Sequence, residues 1–413
     1  MKHKPNILVI APNAPPRNTA ESIQVRRILV ELDARAVGRL VTVKPDAAGS
    51  WAQRDTSLGI QLETFDTKSL TLPFHALTNR LLMSHLFTAY HIPDSMLWIS
   101  YMAGRIVKDL RKKPEIIYSR SSPMSAALLA HKLKLKLGVP WIMHLSDPWA
   151  DNPDKMANAR DDAYESQCFM SADLITLTTQ GQAEYYQNKY PAYAKKIVVS
   201  PNVMPHKDDT RNWLENAPAT QRDERLHLVF AGNLYGCRSP EPLLNAIEIL
   251  RATHPELLKK LRIDCCGHAQ KTALPFLRQA PDVLTYHGPV SFEEAYNAQH
   301  HADIVLTIEA NSDNFLIKNT LLSKVTDCLA QGKPMLAITP DGSETASICN
   351  EGYGWAVSPA RPADIAARLA SLIEELPTLR ATAPKAPPPR YLAQTVAFDL
   401  LDHIAILTGR GTK

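Results

Sequence analysis

The chain has 413 residues, 45% of them apolar and 21% charged, and 46 Lys and Arg stand against 42 Asp and Glu for a net charge of +4. This length and apolar share describe a soluble globular protein of two domains, each able to bury its own core. So small and dispersed a positive charge argues against a nucleic-acid partner, and no run of about 18 apolar residues offers a membrane span.

The chain opens on Met1-Lys-His-Lys-Pro5 and passes directly into Asn6–Ile10, an apolar run too short for a signal peptide and long enough for a buried strand. Further runs that predict parallel strands lie at 40–43, 116–118, 141–145, 174–177 and 197–200, and helical periods at 20–33, 123–137 and 180–189. The turn after the first strand is Ala11-Pro-Asn13-Ala-Pro-Pro-Arg17-Asn-Thr-Ala-Glu21-Ser22. Its Asn13, Arg17 and Ser22 are candidates to meet a ligand's charge, and a stiff surface turn is the plainer alternative.

Leu81 to Trp98 is apolar and aromatic and precedes the basic Lys108-Asp-Leu-Arg-Lys-Lys113. An amphipathic helix packed on its own domain explains this pattern, and so does a peripheral face that meets an anionic membrane surface. Strand 141–145 runs into Ser146-Asp147-Pro148-Trp149. Asp147 stands at the carboxyl end of that strand, where it would orient or deprotonate a hydroxyl, or else cap a helix. The nearest imidazole, His144, lies on the same strand face as Ser146.

Residues 206–225 are polar and aperiodic and predict a linker. The α/β alternation restarts at 226–231 and continues through strands at 261–264, 283–286, 304–308 and 335–338, with a helix at 362–375. A last helix at 391–407 would cross back to the first domain. The expected domains are therefore 1–205 and 226–385, followed by the terminal segment 386–413.

Strand 226–231 ends in Gly232-Asn233-Leu-Tyr-Gly-Cys-Arg238-Ser239-Pro240. Glycine lets backbone approach a diphosphate, Arg238 would fork onto its oxygens, and Ser239 would cap the helix that follows. Strand 304–308 is followed by Ser323-Lys324-Val-Thr-Asp327-Cys-Leu-Ala-Gln-Gly332-Lys-Pro334. On a helix Lys324 and Asp327 share a face, so the ammonium and the free amides of the first turn would hold phosphate while Asp327 accepts from a ribose diol. Lys324 and Arg238 are both expected to face solvent until an anion binds. The six cysteines, at 168, 237, 265, 266, 328 and 349, lack any C-x-x-C spacing and predict reduced thiols of a cytosolic protein.

In their order along the chain these elements resemble the GT-B glycosyltransferases of the retaining, glycogen-synthase-like group 1. The turn 232–239 is similar to that family's G-R-x-x-x-x-K-G, with Asn233 at the Arg position and Arg238 at the Lys position. Lys324 to Pro334 is similar to K-L-F-E-Y-L-A-A-G-K-P, with Asp327 for the second Glu of the family's Glu-x7-Glu and Asn319 for the first. Ala172-Asp173, Pro201-Asn202, Tyr286-His-Gly288 and Ala302-Asp303 resemble further family elements, and Ser146-Asp147-Pro148-Trp149 its bacterial D-P-W element.

The resemblance implies an α/β fold of two Rossmann-like domains facing across a cleft. It implies sugar transfer, with retention, from a nucleotide-sugar donor to a sugar or lipid-linked acceptor in cell-surface polysaccharide or glycolipid assembly. Asp147 and His144 would be catalytic, Gly232, Asn233, Arg238, Asn319, Ser323, Lys324 and Asp327 would bind the donor, and neither a metal nor a cofactor would be needed. The expected location is the cytoplasm, including the inner face of the membrane. A nucleotide-sugar epimerase and a non-catalytic nucleotide-sugar-binding subunit remain open as alternatives.

Overall fold

The computed structural model describes residues 3–15, 19–33, 35–42, 63–66, 102–153, 159–215, 223–236 and 238–410. The chain divides into two compact units, Met1–Val203 with Arg390–Lys413, and Met204–Pro389.

The first unit is built on a seven-stranded parallel sheet in the order β3-β2-β1-β4-β5-β6-β7. Its elements in chain order are β1 (Asn6–Ile10), α1 (Ala20–Asp33), β2 (Val37–Thr42), β3 (Glu63–Asp66), α2 (Ala103–Asp109), β4 (Ile116–Ser121), α3 (Ser125–Leu137), β5 (Trp141–Leu145), α4 (Ala159–Ser171), β6 (Leu174–Leu177), α5 (Gln180–Lys189) and β7 (Ile197–Val199). Side chains alternate between the two faces of β1. Leu8 and Ile10 join a core with α3, while Ile7 and Val9 join a second core with α1 and the chain's terminal helix. Both faces are thus buried, which is why β1 is a continuous apolar run without polar alternation.

The second unit has a six-stranded parallel sheet in the order β10-β9-β8-β11-β12-β13. It comprises α6 (Lys207–Glu215), β8 (Leu226–Ala231), α7 (Glu241–Thr253), α8 (Pro255–Leu258), β9 (Leu261–Cys266), β10 (Leu284–Gly288), α9 (Phe292–His301), β11 (Ile304–Ile308), α10 (Phe315–Lys318), α11 (Ser323–Ala330), β12 (Met335–Ile338), α12 (Glu344–Ile348), β13 (Gly354–Val357), α13 (Pro362–Glu374) and α14 (Leu376–Ala381). Then α15 (Ala393–Leu407) rejoins the first unit, where Val396, Ala397, Leu400 and Ile404 share the core with Val25, Ile28 and Leu29 of α1.

The two sheets repeat one topology, in which strand order reverses beside β1 and again beside β8. Ligands of open α/β sheets bind at the carboxyl ends of the strands at such a reversal. The Ala-Asp elements of the sequence serve each sheet at its opposite edge. The Asp173 carboxylate accepts from the Trp141 amide at 2.7 Å and pairs with Lys134 at 2.6 Å, and Asp303 accepts from the His227 amide at 3.0 Å and pairs with Arg380 at 2.9 Å. Each aspartate satisfies a strand-start donor that would otherwise be orphaned.

One expectation needs correction. Within the segment read as a linker, 207–215 is helical, and Trp213 sets its ring edge-on to Phe292 and Tyr296 of α9, 5.0 and 5.2 Å between centroids. A single large aromatic anchors this helix, so the short polar segment shows too few apolar positions to reveal a period.

Candidate functional site

In the second unit, the turn after β8 is zipped to the turn after β9. The Gly232 amide donates to the Cys266 carbonyl and Leu234 to His268, both at 2.9 Å, and Asn233 Oδ1 accepts from the His268 amide at 3.2 Å. Gly267, at φ +124°, makes this approach feasible, because a Cβ there would lie 2.1 Å from the Gly232 carbonyl oxygen. Sequence reasoning did not single out Gly267, since the need for glycine arises from a neighbouring turn 35 residues away.

This zipped turn presents Arg238. Its guanidinium lies 4.8 Å from the centre of the Tyr235 ring and donates to the Tyr235 hydroxyl at 2.7 Å, while Tyr235 itself is 38% exposed. Ser239 Oγ accepts from the Glu241 amide at 3.1 Å, at the start of α7. Gly232 lies beside Lys324, whose Nζ would be in ordinary contact, at 3.6 Å, with a Cβ at that position.

Lys324 stands in the first turn of α11, directly at the reversal of strand order. Its ammonium donates to the carbonyl of Ile308, the last residue of β11, at 3.1 Å and lies 4.9 Å from the centre of the Phe230 ring on β8. Lys324 is half-buried, less open than the solvent-facing position expected for this cation. Burial, aided by the positive charge of Arg238, brings the Lys324 pKa down to about 8, and Glu309 works in the other direction. Leu322, which precedes α11, supplies no side-chain cap to the helix amides.

The structure places the other expected donor residues around this point unevenly. Ser323 opens α11, and Asp327 is buried one turn further on, 8% exposed. Asn319 follows α10 and donates its amide to the Phe315 carbonyl at 2.9 Å. Glu309, which the sequence did not flag, follows β11 immediately; its carboxylate accepts from the hydroxyls of Thr339 and Thr345, each at 2.6 Å. Only its place at the end of a central strand could have drawn attention to it.

In the first unit the strand ends carry a different set. Asn13 donates to the Ser122 carbonyl at 2.9 Å, Ser22 is buried in the first turn of α1, and Arg17 lies outside the described residues, as does the stretch 81–98. His144 is fully buried, with Nδ1 2.9 Å from Thr176 Oγ1, and burial together with Arg120 holds its pKa well below the ordinary imidazole value. It is therefore neutral and has no exposed surface from which to exchange a proton with substrate. Asp147 is exposed. Trp149 of the D-P-W element is fully buried, its indole donating to Asp161 at 3.0 Å and its amide to the Tyr186 hydroxyl at 2.9 Å.

Beneath Asp147 lies a buried cluster that sequence reasoning missed. Glu21, on α1, receives Arg120 Nε at 2.8 Å and Ser146 Oγ at 2.5 Å, and Arg120 also donates to the Tyr118 hydroxyl at 3.1 Å. Five of the cysteines, 168, 265, 266, 328 and 349, are buried free thiols. Among the described residues no group of three or more His, Cys, Asp or Glu is placed to hold a metal ion, and no helix is long and apolar enough to cross a membrane.

Comparison with known proteins places these features in a family context. Residues 21–203 match the profile of the glycosyl transferase 4-like domain. A D-inositol 3-phosphate glycosyltransferase of Geodermatophilus obscurus is 24% identical over 308 residues, a match that covers 71% of this chain and 62% of that relative's length. The E. coli trehalose-6-phosphate structure bound with UDP-2-fluoro glucose superposes with a TM-score of 0.62 at 12% identity, covering 98% of this chain and 97% of the other. A putative UDP-N-acetylglucosamine 2-epimerase from Listeria monocytogenes superposes with a TM-score of 0.60 at 11% identity, covering 99% of this chain and 98% of the other. The chain thus has the two-domain α/β fold of the GT-B glycosyltransferases, and its first unit is similar to the glycosyl transferase 4-like domain.

Proposed function

We propose that this protein is a glycosyltransferase that moves a sugar from a nucleotide-sugar donor to an acceptor hydroxyl. The observation that carries the reading is the pair of cations at the strand reversal of the second unit. The Lys324 ammonium donates to a backbone carbonyl, with no carboxylate among the described residues in hydrogen-bond contact, and Arg238 lies close enough to depress its pKa. Two neighbouring positive charges repel each other until an anion arrives, and a diphosphate is an anion that two cations beside a helix start would hold. In sugar transfer the departing diphosphate gains charge in the transition state, so groups preorganised to receive it lower the barrier.

In this reading Gly232, Asn233 and Ser323 supply backbone and side-chain donors around the phosphates, and Asp327 receives the ribose diol. Asn319 offers a neutral amide where the group-1 pattern has a carboxylate. Asp147 orients or deprotonates the acceptor hydroxyl, His144 supports the strand beneath it, and Asn13, Arg17 and Ser22 complete the acceptor side. Retention of configuration, an acceptor that is a sugar or a lipid-linked sugar, and a role in surface polysaccharide or glycolipid assembly follow from the group-1 resemblance. They belong to this proposal, as does a cytoplasmic location that includes the inner membrane face.

The test is incubation of the purified protein with labelled nucleotide sugars, with and without a membrane lipid extract. Acceptor-dependent release of nucleoside diphosphate is the expected result. Epimer formed without acceptor would replace this reading with the epimerase, whose fold is shared, and binding without turnover would replace it with a nucleotide-sugar-binding subunit.

A further inference from the structure

The turn Ser146–Ala150 is clamped at both ends, and Asp147 is the exposed residue between the clamps. At the far end the buried Trp149 is held by Tyr186 and Asp161, and the Ala150 amide donates to Glu165 at 2.8 Å. At the near end the Ser146 amide donates to the Ser121 carbonyl at 3.0 Å, and its hydroxyl donates to Glu21. Glu21 comes from α1, 125 residues earlier, and is itself fixed by a two-pronged contact with Arg120, Nε at 2.8 Å and Nη2 at 3.4 Å. Both partners of that ion pair are almost fully buried, with side chains 5% and 9% exposed.

A buried ion pair of this kind is weak evidence of stability, because desolvating two charges offsets their attraction. It is better explained by what it holds in place. We propose that Glu21 is a positioning residue of the transfer reaction, tethering the Asp147 turn through Ser146 and setting the electrostatic field in which Asp147 works. This inference rests on the glycosyltransferase reading and on the role given there to Asp147.

The groups that face Glu21 are Arg120 and Tyr118 from β4 and Ser146 and Asp147 from the turn after β5, with His144 on β5 next to Arg120. Burial raises the Glu21 pKa, Arg120 and the Ser146 hydroxyl counter it, and Asp147 adds to the rise, so the two carboxylates feel each other. Removing the Glu21 charge leaves the buried Arg120 guanidinium without its carboxylate partner and takes the charged acceptor away from the Ser146 hydroxyl.

The experiment compares full-length wild type with Glu21→Gln, Ser146→Ala and Ser146→Thr, using the donor found by the screen above. Glu21→Gln should lower kcat at least about tenfold with donor KM within about twofold. Ser146→Ala should lower kcat less, and Ser146→Thr, which keeps the hydroxyl, should restore the rate. Amide exchange at 146–150 should quicken in the first two variants while that of β5 stays slow.

A fall in kcat that tracks loss of thermal stability, with exchange at 146–150 unchanged and no rescue in Ser146→Thr, would reduce Glu21 to a structural ion pair. Should Glu21→Gln prove too unstable to assay, equal kcat in Ser146→Ala and Ser146→Thr overturns the tether. If wild type transfers no sugar from any donor, the glycosyltransferase reading fails and the role in transfer fails with it. Unchanged exchange in an active enzyme sinks the tether alone.

Discussion

The two sheets reverse their strand order in the same way and fill the reversal with opposite electrostatics. Beside β1, among the described residues, the cation is Arg120, and it is consumed within the protein: Glu21 and Tyr118 bind it, and the Glu21 charge and the hydrogen bonds from both offset the burial that works against its own. Beside β8 the cations are Lys324 and Arg238, and the nearby carboxylate, Glu309, is occupied by two threonine hydroxyls. Identical topology therefore says where a ligand can sit and leaves its charge undecided. On the proposed reading the balanced reversal receives the neutral acceptor hydroxyl and the unbalanced one the donor's diphosphate.

The contrast is broken most directly at Lys324. Replacing it with Met should weaken nucleoside diphosphate binding by about 10- to 150-fold, the loss of about 1.5–3 kcal/mol expected for a hydrogen bond to a charged group. The same variant should melt at a higher temperature than wild type when no ligand is present, because it removes a charge that burial disfavours. Isothermal titration and calorimetry on one sample check both. Unchanged affinity would show that the second reversal is no more an anion site than the first. Arg238→Ala should cost less, on the order of tenfold, since this guanidinium is partly exposed and also stacks on Tyr235.

What could be seen in the sequence follows from the range over which each feature is determined. Strands β1, β5, β11 and β12 announce themselves because apolar runs covered on both faces need only local reading, whereas β3 and β13 lie at sheet edges, have mixed composition and were not expected. Lys324 and Arg238 were legible because glycine turns and helix starts are local signals. Gly267 and Glu21 were not: the first is required by the carbonyl of Gly232, the second acquires meaning through Arg120 and Ser146, 99 and 125 residues away. The contacts of Lys324 with the Ile308 carbonyl and the Phe230 ring were hidden for the same reason. The expected linker concealed α6, which depends on Trp213 meeting aromatics of another helix.

The pH dependence of binding sharpens the comparison further. With its pKa near 8 in the free protein, Lys324 is mostly charged at pH 7 and mostly neutral at pH 9. A bound diphosphate favours the ammonium, so above pH 8 binding must take up a proton, and affinity for a nucleotide sugar should fall by up to about tenfold per pH unit. Folding stability moves in the opposite sense. The unfolded chain keeps this lysine protonated up to about 10.5, so between pH 8 and that value it binds more protons than the native state, and this group makes stability rise with pH. In Lys324→Met both slopes should be absent. Binding titrations from pH 7 to 9.5 with wild type and variant measure the first directly.

The smallest effect is expected at Glu309, where the two reversals can be made more alike or less. Its carboxylate raises the Lys324 pKa, ahead of a smaller contribution from Cys328, and it does so from a position already satisfied by Thr339 and Thr345. In Glu309→Gln the side-chain oxygen still accepts from one threonine hydroxyl while the charge is gone. Lys324 then loses that support, its pKa falls below 8, and the onset of weakened nucleotide-sugar binding moves to lower pH by a fraction of a unit. At pH 7 affinity should drop by no more than about threefold, far less than in Lys324→Met. The two removals differ because one deletes the ammonium and the other only shifts the pH at which it exists. An onset that stays at pH 8 in Glu309→Gln would mean that Glu309 is a structural anchor between β11 and α12, and that the charge of the second reversal is set by Arg238 and burial alone.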